Sequence, residues 1–564
     1  MRICFALCAI ALGFGCGPGG RDNGACTPGE LRCNGNELQS CINDQFQDSM
    51  MCPSACSPKI GCTLCVAGTG TCSGNQSHAC ADDGMSYVDE TCDPAQGEMC
   101  DAMTGACSGP CSAKALGNSY IGCEYYPTVT GNTTGTTFDF AVAIANTTST
   151  PAMVTIDGGA LTTPQTVTVA PNAVTLQTLP WVASLKLCDT PDTDGCLLGE
   201  GTFHYGALAV KGGYHLRSSS PVTVYQFNSL EYVKNNVFSY SNDASLLLPV
   251  NVWRTKYFAA AWQQVGSTNA SEMAVTARLD GTAVTITSKA ATSADQGAPA
   301  FGVGAPQTVM LNAGDVLELA SITGDLTGSL IDSTLPVQLI SGHYCADVPD
   351  GIAACDHLEE SMFPVDTLGT HYVINAPAVT SIPAGKAEVV RVIATADATN
   401  LTYDPPVTGA PTTIPTAGGF IEIPSNATSY QITSDQKVLV VQYMEGQAAG
   451  GNTGDPAMAL AVPAEQFRSS YLFHAPISYE SNYVDVTAPM GANVQLDSGA
   501  SLTFTPIGTS GYGLSRVQSL TAGPASDGNH NIQGDMPFGI TVYGYGQYTS
   551  YWYPGGLNLD KIIE

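Results

Sequence analysis

The chain has 564 residues, more than one hydrophobic core usually supports, so the sequence predicts several domains. Only 12% of the residues are charged, and 49 acidic residues against 19 basic ones give a net charge of -30. Because the attraction to nucleic acid and to anionic membranes depends on Lys and Arg, this balance excludes nucleic acid as a main partner.

The N-terminus has the pattern of an export signal. A basic start is followed by the apolar run Ile3–Phe14, which is too short to span a bilayer. Cys16 then stands where the bacterial lipobox carries its lipidated cysteine. The sequence therefore predicts a signal peptide at 1–15 and a linker at 16–25 with a lipidated Cys16. The expected location is the outer membrane or cell surface, and the alternative is secretion without an anchor.

Residues 26–112 form a predicted Cys-rich head. The four cysteines Cys26, Cys33, Cys41 and Cys52 recur 39 or 40 residues later as Cys65, Cys72, Cys80 and Cys92. Modules this small cannot bury enough apolar area alone, so cross-links replace the core. Zinc is the competing interpretation of dense cysteines, but Cys-x2-Cys occurs only once here, at Cys62 and Cys65. Disulfides in an oxidising compartment are favoured, with the pairing left open.

The rest of the chain follows a repeat of roughly 100 residues. Its landmarks are a proline, a second proline 26 or 28 residues later, and a tyrosine 8 residues after that. The copies are Pro221, Pro249 and Tyr257; Pro336, Pro364 and Tyr372; Lys437 (in place of proline), Pro463 and Tyr471; and an incomplete fourth copy from Pro537. Fixed spacing of several landmarks indicates a duplicated module rather than a bias of composition.

Each copy is predicted to be a β-sandwich. Alternating Val, Thr, Ala and Tyr, with 60 glycines and 34 prolines in the chain, indicate half-buried strands separated by turns. The fold class is therefore mostly β, with tandem sandwich-like repeats after a small disulfide-rich head, and a large-bladed propeller is the alternative. We expect modules at 113–262, 263–377, 378–476 and 477–564. Whether the tyrosine strand ends its own module or begins the next one stays open.

Several segments of these modules resemble one known family. They are Pro221–Asn228, Ser241–Pro249, Gly342–Pro349, Cys355–Glu359 and Ser550–Gly556. The chain is similar, over roughly residues 120–560, to the N-terminal-domain family of IgGFc-binding proteins, which occurs in mucus-associated animal proteins and in bacterial surface proteins. The resemblance implies a non-catalytic extracellular binding or adhesion module. It does not imply immunoglobulin as the ligand, because a fold does not carry its ligand with it.

Two acidic loops are candidate metal sites. His343, Asp356 and His357 lie beside the expected Cys345–Cys355 disulfide, which could bring imidazole and carboxylate ligands together. The competing interpretation is a disulfide-closed loop in which Asp356 is a turn or capping residue. A second loop, closed by the expected Cys188–Cys196 disulfide, carries three carboxylates that suit Ca²⁺, namely Asp189, Asp192 and Asp194. It is too short for an EF-hand, and a solvated turn is the alternative.

No catalytic motif appears in the sequence. Gly-x-Ser-x-Gly, His-Glu-x-x-His and a phosphate-binding glycine loop with lysine are all missing, so we expect no enzyme and no cofactor other than calcium. The predicted function is a surface-anchored binding or adhesion protein whose partner is an extracellular protein or a glycan. Contact with the membrane is expected only through the lipid anchor. The alternatives are a structural envelope protein and a metal-dependent extracellular hydrolase.

Overall fold

The computed structural model describes residues 26–562, apart from 265, 267, 380–381, 383–384, 450, 519 and 521–526. The predicted signal peptide and Cys16 lie outside the described residues. The fold is mostly β with a disulfide-rich N-terminal region, which confirms the predicted class. The chain divides into two compact units. The first holds the described residues up to Asp93 together with Glu98–Ser108, and the second holds Pro94–Gly97 and the chain from Gly109 onward.

The first unit contains ten short strands in antiparallel sheets of two or three. They are β1 (Leu31–Asn34), β2 (Glu37–Ile42), β3 (Gln45–Met51), β4 (Ala55–Ser57), β5 (Gly61–Thr63), β6 (Gly70–Ser73), β7 (Gln76–Cys80), β8 (Tyr87–Thr91), β9 (Met99–Cys100) and β10 (Cys107–Ser108). The sheet β1-β2-β3 is repeated as β6-β7-β8, and the hairpin β4-β5 as β9-β10. The Cys repeat of the sequence is thus a repeat of structure.

Six disulfides link the head, three in each repeat and with the same pairing. The first cysteine of a repeat joins the third, the second joins the fifth, and the fourth joins the sixth: Cys26–Cys41, Cys33–Cys56 and Cys52–Cys62, then Cys65–Cys80, Cys72–Cys100 and Cys92–Cys107. Each repeat therefore carries its own set of cross-links. Three more disulfides lie in the second unit: Cys111–Cys123, Cys188–Cys196 and Cys345–Cys355.

The second unit contains four groups of strands and two one-turn helices, α1 (Ala113–Leu116) and α2 (Gly195–Leu198). The first group is β11 (Gly122–Tyr125), β12 (Phe140–Asn146), β13 (Ala152–Gly158), β14 (Gln165–Val169), β15 (Ala173–Leu179), β16 (Gly206–Ala209), β17 (Tyr214–Phe227), β18 (Val233–Lys234), β19 (Val237–Phe238) and β20 (Ala244–Leu247). The second is β21 (Arg254–Phe258), β22 (Ser271–Ala277), β23 (Thr282–Thr287), β24 (Pro306–Leu311), β25 (Val316–Ser321), β26 (Leu330–Ala346) and β27 (Asp356–Ser361).

The other two groups repeat this order. The third is β28 (His371–Ile374), β29 (Glu388–Ala394), β30 (Thr399–Asp404), β31 (Thr413–Ile414), β32 (Phe420–Asn426), β33 (Tyr430–Ser434), β34 (Val438–Met444) and β35 (Met458–Leu460). The fourth is β36 (Arg468–His474), β37 (Ser481–Pro489), β38 (Val494–Leu496), β39 (Thr505–Pro506), β40 (Tyr512–Gln518), β41 (Asn529–Gly546) and β42 (Thr549–Pro554). We propose that each group is one copy of the module, except that β16 of the first group pairs with β25 of the second. No helix in the described part of the chain is long and apolar enough to cross a membrane.

One long strand passes between the two sheets of each module at the first landmark of the repeat. In β17, the residues before Pro221 pair with β13, and the residues after it pair with β12 and β20. Pro336 and Pro537 lie at the same crossing in β26 and β41, where a missing N–H costs no ladder bond. Where Lys437 replaces proline, the strand is divided into β33 and β34. This pairing gives two-sheet sandwiches and lends no support to the propeller alternative.

The strand that carries each tyrosine landmark pairs with the crossing region of the module that follows it. Each tyrosine hydroxyl donates a hydrogen bond to the carbonyl just after the next crossing residue: Tyr125 to Val222, Tyr257 to Val337, Tyr372 to Val438 and Tyr471 to Phe538. The same hydroxyl accepts the N–H of the residue three positions earlier. The second prolines Pro249, Pro364 and Pro463 lead into short 3₁₀ turns that enter these strands. We therefore propose that the modules begin at these turns. In this proposal the expected boundaries, which lay after the tyrosine strands, come too late in the chain.

Replacing Tyr372 with phenylalanine tests this hydrogen-bonded link. Tyr372 is fully buried, so the variant leaves the Gly369 N–H and the Val438 carbonyl without their partner. We expect a loss of about 1–3 kcal/mol in the free energy of unfolding, measured by urea denaturation. Tyr548→Phe is the matched control, because Tyr548 is 39% exposed. Equal stability of the two variants would contradict a structural role for the hydroxyl.

The closing strands of the four modules meet at the centre of the second unit. β20 contacts β27, β27 contacts β35, β35 contacts β42, and β42 contacts β20. The four modules thus form a closed circle of contacts instead of an open row. A fully buried apolar core continues through all four modules and includes Trp253, Trp262 and Tyr443. This closure decides which of the predicted site residues are accessible.

Candidate binding site

The structure does not bring His343 and His357 together as ligands of one ion. His343 on β26 lies opposite Leu358 on β27, so the neighbouring His357 projects from the other face of the sheet. Both side chains are fully buried. Burial lowers the pKa of His343 to about 3, which keeps its imidazole neutral at physiological pH. Among the described residues, no three His, Cys, Asp or Glu side chains are grouped so that they could hold a metal ion.

His357 belongs to a closed polar core between the first two modules. Its Nε2 lies 3.3 Å from the Thr130 hydroxyl and 3.1 Å from the Asn228 amide nitrogen. The carboxylates of Glu272 and Glu359 lie 3.8 and 3.6 Å from the two ring nitrogens. Each of these side chains is at least 97% buried. A substrate cannot reach this cluster from the surface, which argues against a hydrolase at this place.

The electrostatics of this core favour protonated acids. Burial, reinforced by the neighbouring carboxylates, raises the pKa of Glu272 and Glu318 well above the usual range. Glu318 accepts the N–H of Gly131 at 2.7 Å, whereas Glu272 makes no hydrogen bond. Burial of these two carboxyl groups therefore disfavours their charged form.

Asp356 lies in a second buried group, where carboxyl groups cap backbone N–H groups. Its Oδ1 accepts the N–H of Asn242 at 2.8 Å, and its Oδ2 accepts the Thr549 hydroxyl at 3.0 Å and the Ser550 N–H at 3.2 Å. Asp356 therefore ties the second module to the first and the fourth. This geometry favours the capping interpretation of Asp356 over the metal interpretation, which the described residues do not support.

The loop that carries Asp189, Asp192 and Asp194 lies at the surface. Its disulfide, Cys188–Cys196, closes it against α2. Asp189 Oδ1 accepts the N–H of Thr202 at 2.6 Å, and this bond lowers the pKa of Asp189. Burial instead raises the pKa of Asp194. The loop is therefore a folded turn, and Ca²⁺ binding by it stays a prediction.

A cavity of about 640 Å³ opens beside this loop, a size typical of small-molecule sites. Its lining includes Thr136, Asp139, Trp181, Lys186, Asp189 and His204. Cys188, Thr190 and Pro191 contribute the disulfide loop itself as one wall. The cavity combines an aromatic ring, hydroxyl groups, carboxylates and an imidazole. Among the cavities lined by described residues, it is our candidate for ligand binding.

The aromatic side chain of this cavity is held in place by the protein. Trp181 Nε1 donates to the Phe138 carbonyl at 2.8 Å, and the ring lies 5.8 Å from that of Phe140. The Lys186 amine lies 4.2 Å from the centre of the indole ring and donates to Asn132 Oδ1 at 2.7 Å. Burial lowers the pKa of Lys186 to about 7. The indole is thus oriented before any ligand arrives.

Sequence reasoning missed Trp181, Lys186 and His204. The cavity is assembled from segments near residues 136, 181, 190 and 204, with Gln296 from the second module. No spacing connects these segments. The one available signal was the Cys188–Cys196 loop, which the sequence singled out for calcium rather than as a wall of a cavity.

Comparison with known proteins identifies the family to which the repeats belong. A family model described as IgGFc binding protein matches residues 243–544, more than half of the chain. The chain belongs to the IgGFc-binding protein family. Among IgGFc-binding proteins, the human protein of that name is 25% identical over 315 residues, which is 55% of this chain but only 6% of the human protein. The matched segment begins at Asp243, so nearly all of the cavity lies outside it.

Proposed function

We propose that this chain is an extracellular binding protein that is held at the cell surface and catalyses no reaction. Membership of the IgGFc-binding protein family supports an extracellular binding role. The nine disulfides among the described residues suit an oxidising compartment. Lipidation of Cys16 after export supplies the anchor in this proposal.

The observation that carries the proposal is the contrast between the acidic clusters and the cavity. The clusters around His357 and Asp356 are sealed inside the second unit, whereas the cavity beside the Cys188–Cys196 loop is open. The side chains of these two clusters, including His357, Glu359 and Asp356, are thus withdrawn from any substrate. The accessible side chains include an oriented indole and fixed polar groups, which suit binding.

The test is a binding screen with the disulfide-intact chain. The probes are immobilised IgG Fc, chosen because the human relative carries that name, together with a glycan array and intact cells. We expect saturable binding to at least one class of probe and no turnover of ester, peptide or glycoside substrates. If the chain bound none of these probes at high density, the proposal would be contradicted.

The anchor has a separate test. The wild-type chain should incorporate radiolabelled palmitate and sediment with membranes, whereas Cys16→Ser should remain soluble after export. Cys8→Ser is the matched control, because Cys8 lies within the predicted signal. Equal membrane retention of Cys16→Ser would leave the binding role intact but remove the lipid anchor from it.

A further inference from the structure

We propose that the cavity beside the Cys188–Cys196 loop binds an uncharged carbohydrate. This inference rests on the proposed binding function and names its ligand class. A sugar presents an apolar C–H face and a rim of hydroxyl groups, so its site needs an aromatic surface and several hydrogen-bonding side chains around it. The cavity has a volume of about 640 Å³, and its lining contains both an aromatic ring and hydrogen-bonding side chains.

Trp181 provides the aromatic surface. Of the four tryptophans in the chain, Trp253, Trp262 and Trp552 are at most 2% exposed, whereas Trp181 is half-buried and lines the cavity. Its Nε1 is hydrogen-bonded to the Phe138 carbonyl, and the exposed part of the ring is available for a ligand to pack on. Because the ring is already fixed, a ligand that packs on it loses little of its affinity to side-chain ordering.

The polar groups of the cavity are fixed as well. Asp189 is held by the N–H of Thr202 at 2.6 Å, and the His204 Nδ1 lies 3.2 Å from Asp295. Asp139 is paired with Lys234 at 2.7 Å. Carboxylates are strong acceptors for sugar hydroxyls, and pre-oriented acceptors select the spacing of those hydroxyls.

The charge of the cavity selects against anionic sugars. Asp189 lies in its lining, together with Asp139 in its ion pair with Lys234, and the lysine in that lining, Lys186, donates its amine to Asn132 and to the Thr134 carbonyl. Lys186 is also 2% exposed, so it offers no accessible cation to a ligand carboxylate. The chain as a whole carries a net charge of -30. A sialylated or uronic-acid sugar is therefore repelled where a neutral one is accepted.

The experiment is a titration of the disulfide-intact chain followed by tryptophan fluorescence. A glycan array first identifies a neutral hit, and that glycan is then compared with its sialylated form. We expect saturable quenching or a blue shift with the neutral glycan, and at least about tenfold weaker binding of the sialylated one. The signal should vanish in Trp181→Phe, because the remaining three tryptophans are buried.

Two further variants test the site itself by calorimetric titration. Trp181→Ala and Asp189→Asn should each weaken binding about tenfold or more. Asp435→Asn is the matched control for Asp189→Asn, since the exposed Asp435 likewise accepts a backbone N–H, that of Asn400, and lies in the third module. It should bind like the wild type, and melting temperatures establish that all variants fold.

Three results would overturn the carbohydrate proposal. They are unchanged affinity in both Trp181→Ala and Asp189→Asn, preference for the sialylated glycan, and no glycan binding at all. In the last case, binding to IgG Fc or to deglycosylated cells would leave the broader binding function standing. Failure with every probe would remove both proposals together.

Discussion

Asp243→Ala is expected to destabilise the second unit more than any other single substitution considered. Asp243 Oδ1 accepts the N–H groups of Ala244 and Trp552, and Oδ2 accepts those of Glu359 and Met458, at 2.9–3.2 Å. These donors belong to the closing strands of all four modules. Alanine would leave four buried N–H groups without an acceptor, which we expect to lower the free energy of unfolding by more than about 3 kcal/mol.

Differential scanning calorimetry measures this effect. Asp243→Asn keeps one acceptor oxygen and should lose less stability than Asp243→Ala. The exposed carboxylate of Asp435 also accepts a backbone N–H, so Asp435→Ala controls for the loss of a capping oxygen at the surface. A melting temperature of Asp243→Ala equal to that of Asp435→Ala would show that the central carboxylate does not hold the modules together.

The second large effect is a loss of stability with rising pH that is caused by Asp455. Burial raises the pKa of this carboxyl to about 7, whereas an unfolded aspartate titrates near 3.8. Between these values the folded state keeps a proton that the unfolded state has lost, so the contribution of Asp455 to stability is complete below about pH 4 and is lost as the pH rises through about 7. Linkage sets the loss at about 4 kcal/mol at most.

Asp455→Asn isolates this group. The amide retains an oxygen for the Gln447 N–H, which Asp455 Oδ1 accepts at 2.9 Å, and cannot ionise. Urea unfolding should show the variant and the wild type equally stable at pH 4, with the variant more stable at pH 8. Asp435→Asn should show the opposite trend, because hydrogen bonds from Asn400 lower the pKa of Asp435. A stability difference for Asp455→Asn that does not change with pH would contradict a raised pKa.

Much of the architecture could be predicted because the repeat landmarks have local physical causes. A proline without an N–H fits where a strand leaves one sheet for the other, and a buried tyrosine needs a hydrogen-bond partner at a fixed distance. Tyr125 was nevertheless missed. The position eight residues before it is Gly117, not proline, because the first module follows the Cys-rich head rather than another module. Without that proline, the eight-residue spacing from proline to tyrosine cannot be used to find Tyr125.

The candidate site was less predictable. Its residues are far apart in the sequence, and the sequence alone does not show towards which face of a sheet a side chain points. Closeness in sequence suggested that His343, Asp356 and His357 share a site, but adjacent residues on a strand point to opposite faces. Trp181 and His204 come together only when the first module folds, and no local pattern marks a cavity wall. Whether an acidic side chain is buried or accessible depends on the contacts that join the four modules in a closed circle.

The closure of the second unit restricts how such a protein can evolve. Ser119 forms a bridge with Asn558, and the N–H of Tyr120 bonds the carbonyl of Leu557, so the first module is fastened to the last. An open array can gain or lose one repeat at its end without disturbing the others. Here an added or deleted copy would break the seam at Ser119–Asn558 and the central ring of strands at once. Variation between relatives should therefore accumulate in loops and in flanking segments, while the number of modules stays at four.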